Sequence, residues 1–110
     1  MILRDALDTV VRGGTIARGA AREVFAEVLT EETDPVLLGG FLTALASRGE
    51  TAAEIAGAVD GLRSRMIPFE HDHPEAIDTC GTGGDGLGTF NLSTASAIVA
   101  AAAGARVVKH

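Results

Sequence analysis

Asp78-Thr79-Cys80-Gly81-Thr82-Gly83-Gly84-Asp85-Gly86-Leu87-Gly88-Thr89-Phe90-Asn91-Leu92-Ser93-Thr94 is the stretch that decides the fold. Five glycines fall within the eight residues 81–88. Glycine permits positive φ and lets backbone N–H groups approach a ligand with no Cβ in the way. Several such groups curved together make a concavity that suits an anion. Working outward, Ala76-Ile77-Asp78-Thr79 reads as a short strand, Asn91 to Ala103 as a helix ended by Gly104, and Arg106-Val107-Val108-Lys109 as a second strand. Strand, glycine turn, helix and strand in that order imply a parallel β-α-β crossover. Asn91-Leu92-Ser93-Thr94 then opens the helix, where unpaired N–H groups and a partial positive charge favour phosphate.

The stretch is neither of the common nucleotide loops. A Walker loop needs a Lys followed by Ser or Thr after its glycines, and none follows here. Gly81-x-Gly83-x-x-Gly86 matches the dinucleotide pattern by letter, but no Asp or Glu follows Asp85 to meet a ribose. Charge leans the same way as the glycines. The chain of 110 residues carries a formal charge of −6, yet all fifteen acids and seven of the nine Lys/Arg lie in residues 1–85. Residues 86–110 hold Arg106 and Lys109 and no acid. An acidic chain thus turns locally positive beside the phosphate signal, while its overall charge argues against nucleic-acid backbones and acidic membrane surfaces.

Upstream, residues 1–66 read as helices. Ile2, Leu3, Ala6, Leu7, Val10 and Val11 recur at helical spacing until Gly13-Gly14. Ala20, Ala21, Val24, Phe25, Val28 and Leu29 form a second apolar face, with Arg22, Glu23 and Glu27 elsewhere. Asp34-Pro35 opens a third helix, since Asp accepts from a free N–H and Pro suits the first turn. Leu37, Leu38, Phe41, Leu42 and Leu45 are its expected core face, and Gly49 ends it. Thr51-Ala52-Ala53-Glu54 has the form of a capping box, and Ile55, Val59, Leu62 and Met66 are expected to continue the buried stripe. Gly39, Gly40, Gly57 and Gly61 lie inside these helices at about 1 kcal/mol each relative to Ala, with close approach of a neighbouring helix as the expected compensation. Trp and Tyr are absent and Phe occurs four times, which favours a core of Ala, Val, Leu and Ile.

Ile67-Pro68-Phe69-Glu70-His71-Asp72-His73-Pro74 breaks the helical pattern. His71, Asp72 and His73 lack a further ligand pattern and read as solvated linker rather than a metal site. The division is therefore a helical domain over 1–66, a linker over 67–74, and the start of an α/β domain over 75–110. Cys80 is the single cysteine, so no disulfide forms within one chain. No uncharged apolar stretch reaches membrane-spanning length, and the start lacks a basic segment followed by an apolar run. A reducing, cytoplasmic location is the default expectation.

Asp78-Thr79-Cys80-Gly81-Thr82-Gly83-Gly84-Asp85, Thr89-Phe90-Asn91-Leu92-Ser93-Thr94 and Val107-Val108-Lys109-His110, in that order, resemble the anthranilate phosphoribosyltransferase family. Gly49-Glu50-Thr51 and Glu54-Ile55-Ala56-Gly57 resemble the same family's helical domain, so the likeness spans essentially the whole chain. Pyrimidine nucleoside phosphorylases share a similar fold but carry a Val inserted in the glycine loop, which this chain lacks. One departure from the family stands at the second helix: Ala17 and Ala20 occupy positions usually held by a hydroxyl residue and an acid, so a weaker cap is expected there.

The resemblance implies transfer of phosphoribose from phosphoribosyl pyrophosphate to anthranilate, with Mg²⁺ as cofactor and a homodimer formed through the helical domain. It places Gly81 beside both substrates; Gly84, Asp85 and Thr89 on phosphoribosyl pyrophosphate; Asn91, Leu92, Ser93 and Thr94 on its phosphates, with Ser93 also on Mg²⁺; Lys109 against phosphate charge; and His110 on the anthranilate side. No acid/base residue is required, because the amine is already a nucleophile. The family's acidic Mg²⁺ pair, its Arg for the anthranilate carboxylate and most of its central sheet have no counterpart within these residues. The expected fold class is a helical bundle followed by the first β-α-β part of a parallel-sheet phosphoribosyltransferase domain, with little or no turnover by the isolated chain. A non-catalytic phosphate-binding fragment, a dimerising helical fragment and a nucleic-acid-binding relative are the competing readings, the last disfavoured by charge.

Overall fold

Local signals for helix starts and stops account for most of the architecture. The computed structural model describes residues 1–30, 32–81 and 91–109. Among them are five helices: α1 (Leu3–Val11), α2 (Arg18–Glu27), α3 (Pro35–Arg48), α4 (Ala52–Arg65) and α5 (Leu92–Ala102). Asp34 caps α3 by accepting from the N–H groups of Val36 and Leu37, with Pro35 in the first turn. Thr51 and Glu54 form the reciprocal box at α4. Ala17 stands at the start of α2 with no side-chain bond, as its missing hydroxyl foretold. Gly13, Gly49 and Gly104, each just past a helix, have φ of 79°, 86° and 99°, a region that glycine enters without Cβ strain.

The chain divides into two compact units, Met1–Pro68 and Phe69–His110. In the first, α1 lies against α3, and α2 lies most closely against α4. The core is Leu3, Ala6, Val10, Ile16, Ala21, Val24, Phe41 and Leu45. Phe41 is its largest fully buried side chain and meets Phe25 at 5.8 Å between ring centroids. Aliphatic residues dominate the core as composition suggested, but an aromatic pair anchors its middle.

The buried face of α4 differs from the expected one. Ile55, Val59, Leu62 and Met66 are exposed, Ile55 by 55% and Met66 by 60%. Glu54, Gly57 and Gly61 are the residues α4 buries. A Cβ on Gly57 would stand 2.4 Å from the Arg18 carbonyl oxygen and 2.6 Å from the Ala21 Cβ. One on Gly61 would stand 2.6 Å from the Arg22 carbonyl oxygen. The two glycines, four apart and so on one face, let the backbones of α2 and α4 touch. Arg18 spans the same pair, its Nε 2.7 Å from one Asp60 oxygen and its Nη2 3.1 Å from the other. Gly40 is in ordinary contact with Leu7, and nothing lies within 4 Å of a Cβ on Gly39, so the expected compensation holds for Gly57 and Gly61 but not for Gly39. Leu29, Leu42 and Val11, also placed on apolar helix faces from periodicity, are exposed.

In the second unit, Ile77 and Val107 form a parallel bridge. The Ile77 N–H donates to the Arg106 carbonyl at 3.0 Å, and the Val108 N–H donates to the Ile77 carbonyl at 2.9 Å. The crossover is therefore parallel as expected, with α5 between its arms. Pairing among the described residues is limited to this bridge rather than two four-residue strands. Parallel pairs are stable mainly when both faces are covered, and α5 buries none of its residues fully.

Candidate functional site

The residues flanking the glycine-rich stretch converge on the start of α5. Thr79, next after the bridge on the same face as Ile77 by strand alternation, donates its Oγ1 proton to the Ser93 carbonyl at 2.8 Å. Gly81 follows two residues on, and a Cβ built there would stand 3.5 Å from Ser93 Oγ. That is ordinary van der Waals contact. Gly81 therefore runs beside the Ser93 hydroxyl, though nothing on that side demands a glycine.

Asn91 caps α5: its Oδ1 accepts from the Thr94 N–H at 3.2 Å. Capping uses only the acceptor of the amide, which leaves the two Nδ2 protons as further donors of the same side chain. The N–H groups of Leu92 and Ser93 belong to the helix turn that has no intrahelical acceptors. Among the described residues, donors of the N–H, amide and hydroxyl type thus gather at one helix terminus, which favours negative charge. Asn91 and Leu92 are exposed and Ser93 is half-buried.

The two basic residues of the tail separate. Arg106 pairs with Glu75 at 3.2 Å and lies 3.4 Å from His73 Nε2, on the side of the bridge where the chain enters. Lys109 stands two residues beyond Val107, as Thr79 stands two beyond Ile77, so the parallel register carries both out at the same end. Lys109 is exposed. The local positive charge read from the sequence therefore reduces to Lys109, because Glu75 offsets Arg106. Gly84, Asp85, Thr89 and His110 lie outside the described residues.

Sequence reading gave Thr79 no role. Its signal is a hydroxyl on the last strand residue before a glycine run, which becomes visible only once the helix start is placed beside it. Glu54 also does more than close a capping box. It is 2% exposed; its Oε2 accepts from the Thr51 N–H at 2.8 Å and its Oε1 from the Ile16 N–H at 2.8 Å. Arg48 Nη2 donates to both oxygens at 2.8 Å. Burial pushes this carboxyl up, but the Thr51 N–H, the Arg48 guanidinium and the Ile16 N–H together outweigh it and hold the pKa at about 2. Arg48 Nε is left buried without a partner among the described residues. This is a structural hub of the first unit.

Residues 4–66 match the glycosyl transferase family, helical bundle domain, and residues 73–110 match the glycosyl transferase family, α/β domain. Similar proteins include the anthranilate phosphoribosyltransferase of Roseiflexus sp. (strain RS-1), 47% identical over 110 residues, which cover 100% of this chain and 32% of the relative. The anthranilate phosphoribosyltransferases of Shewanella denitrificans (strain OS217) and Bacillus subtilis (strain 168) are each 47% identical, over 108 and 104 residues, covering 94% of this chain and 30% of the relative. The chain thus spans about a third of the length of the curated relatives it matches. No helix among the described residues is long and apolar enough to cross a membrane. With its helical bundle and its α/β segment both matched in order, the chain belongs to this glycosyl transferase family and is similar throughout to the amino-terminal portion of anthranilate phosphoribosyltransferases.

Proposed function

We propose that this chain contributes the phosphate-holding part of an enzyme that transfers phosphoribose from phosphoribosyl pyrophosphate to anthranilate, a step of tryptophan biosynthesis. The observation that carries this reading is the junction at Thr79, Gly81 and Ser93, where the chain entering the glycine-rich stretch meets the donor-rich start of α5. In this proposal Gly81, Gly84, Asp85 and Thr89 contact phosphoribosyl pyrophosphate. Asn91, Leu92, Ser93 and Thr94 hold its phosphates, Lys109 offsets their charge, and Gly81 and His110 border anthranilate. The domain division 1–66, 67–74 and 75–110 belongs to the same proposal.

The chemistry asks little of acid or base groups. The anthranilate amine attacks the sugar carbon as pyrophosphate leaves, so the barrier lies in the charge that gathers on the departing oxygens. The first-turn N–H groups of α5 stabilise that charge from positions set by the helix, without reorganising at the moment of bond breaking, and Lys109 adds a positive charge. Ser93 supplies one neutral oxygen at the half-buried end of the site. That fits Mg²⁺, which keeps several waters and commonly takes substrate phosphates plus one or two protein oxygens. Bound there, Mg²⁺ would neutralise pyrophosphate charge. A phosphate-binding fragment without turnover is the reading for these 110 residues alone.

Two further parts of the proposal rest on other features. A homodimer through the helical unit is supported by its exposed apolar side chains, among them Val36, Leu42, Ile55 and Val59. A cytoplasmic location and no nucleic-acid partner are supported by the free, exposed Cys80 and the charge of −6.

Calorimetric titration with phosphoribosyl pyrophosphate and Mg²⁺ tests the reading. The chain is expected to bind, and Lys109→Ala to weaken binding about tenfold or more, as for loss of a charged hydrogen bond. Heats indistinguishable from dilution for the unsubstituted chain would reject it.

A further inference from the structure

Residue Thr79 lies between the two sides of the candidate site. Its hydroxyl reaches the Ser93 carbonyl across fourteen positions of sequence, and the parallel register sets Lys109 at the same end of the strand pair. A carbonyl oxygen has two lone pairs, so Ser93 can accept from Thr79 and still serve its own helix. The threonine side chain is β-branched and stiff at χ1, which fixes where its Oγ1 sits.

The bond gains importance from what α5 lacks. None of its residues is fully buried; Leu92, Ile98 and Val99 are exposed. Non-directional apolar packing therefore does little to set the rotation of its first turn, and Ala95, Ala97 and Ala100, all half-buried, are too small to key it. A directional bond at Ser93 acts on the residue whose N–H and hydroxyl belong to the site.

We propose that Thr79 is a positioning residue: by holding the Ser93 carbonyl, its hydroxyl turns the Ser93 side chain and the first N–H groups of α5 toward Gly81, where the phosphates are held. The role rests on the phosphate-holding reading above, and it acts through Ser93 without touching ligand.

The test compares the unsubstituted chain, Thr79→Ser and Thr79→Val by calorimetric titration with phosphoribosyl pyrophosphate in excess Mg²⁺, well below the unfolding temperature of each. Thr79→Val is expected to bind roughly three- to tenfold more weakly, the range for losing one neutral hydrogen bond. Thr79→Ser, which keeps the proton donor, is expected within about twofold of the unsubstituted chain by the same argument. Equal affinity for Thr79→Val, or a Thr79→Ser chain as weak as Thr79→Val, overturns the role while leaving the phosphate site standing. Loss of the residue 92–102 helix by circular dichroism in Thr79→Val also overturns it, since Thr79 would then hold the unit together rather than orient one turn. Absence of binding by the unsubstituted chain removes both readings at once.

Discussion

Gly39 and Gly57 sit in consecutive helices at positions that look alike in sequence, yet their surroundings predict opposite effects of substitution. A Cβ at Gly57 collides with the Arg18 carbonyl and the Ala21 side chain, both parts of a packed helix that cannot swing aside. A Cβ at Gly39 meets nothing within 4 Å. Gly57→Ala should therefore destabilise the first unit by about 1–3 kcal/mol, the usual cost of overpacking, even after the better helix propensity of Ala is counted. Gly39→Ala should stabilise it by up to about 1 kcal/mol, from propensity alone. Urea unfolding followed by circular dichroism reads both, and equal effects of the same sign would contradict the close contact of α2 with α4. Thr79 and Ser93 pose the same kind of question in the second unit: a single atom decides whether a residue is filler or part of the site.

Between elements, Glu54 joins the α1–α2 connection at Ile16, the end of α3 at Arg48 and the start of α4 at Thr51. Its folded pKa of about 2 lies below the ordinary 4.5. The sign follows: the carboxylate's contribution is complete above pH about 4.5 and is lost as the pH falls toward 2, amounting to roughly 3 kcal/mol across that window. Glu54→Gln should flatten the dependence of stability on pH in that range and cost about 3 kcal/mol at neutral pH, because half-buried Arg48 loses its counter-charge. Unchanged acid sensitivity in Glu54→Gln would show that other groups govern it. Sequence patterning found the helices, because caps and stops are local: Asp34-Pro35, Thr51 with Glu54, and the glycines at 13, 49 and 104 each act within a few residues. It misassigned the face of α4, because periodicity weighs side-chain hydrophobicity and a glycine contributes none. Where two backbones meet, the buried face is written in missing side chains, and the apolar stripe of Ile55, Val59, Leu62 and Met66 is left outside. The ends of the candidate site were readable from glycine density and the Asn91-led helix, whereas the Thr79 bond and the pairing of Arg106 with Glu75 depend on tertiary neighbours.

At the scale of the molecule, the two units differ in how they hold together. The helical unit has a contiguous core around Phe41 and Val24, an ion pair between buried Glu54 and half-buried Arg48, and a glycine-mediated helix contact. Among the described residues of the second unit, the links include one parallel bridge, the Thr79 bond and the Arg106–Glu75 pair, and α5 has no fully buried residue. With the candidate site at the start of α5, ligand binding should order and stabilise this unit in preference to the first. An isotope-edited amide spectrum of the chain, titrated with phosphoribosyl pyrophosphate and Mg²⁺, measures that residue by residue. The account predicts saturable shifts at Gly81, Leu92, Ser93, Thr94 and Lys109, with the amides of residues 3–65 nearly still. Shifts confined to the helical unit, or none anywhere at saturating ligand, would contradict it.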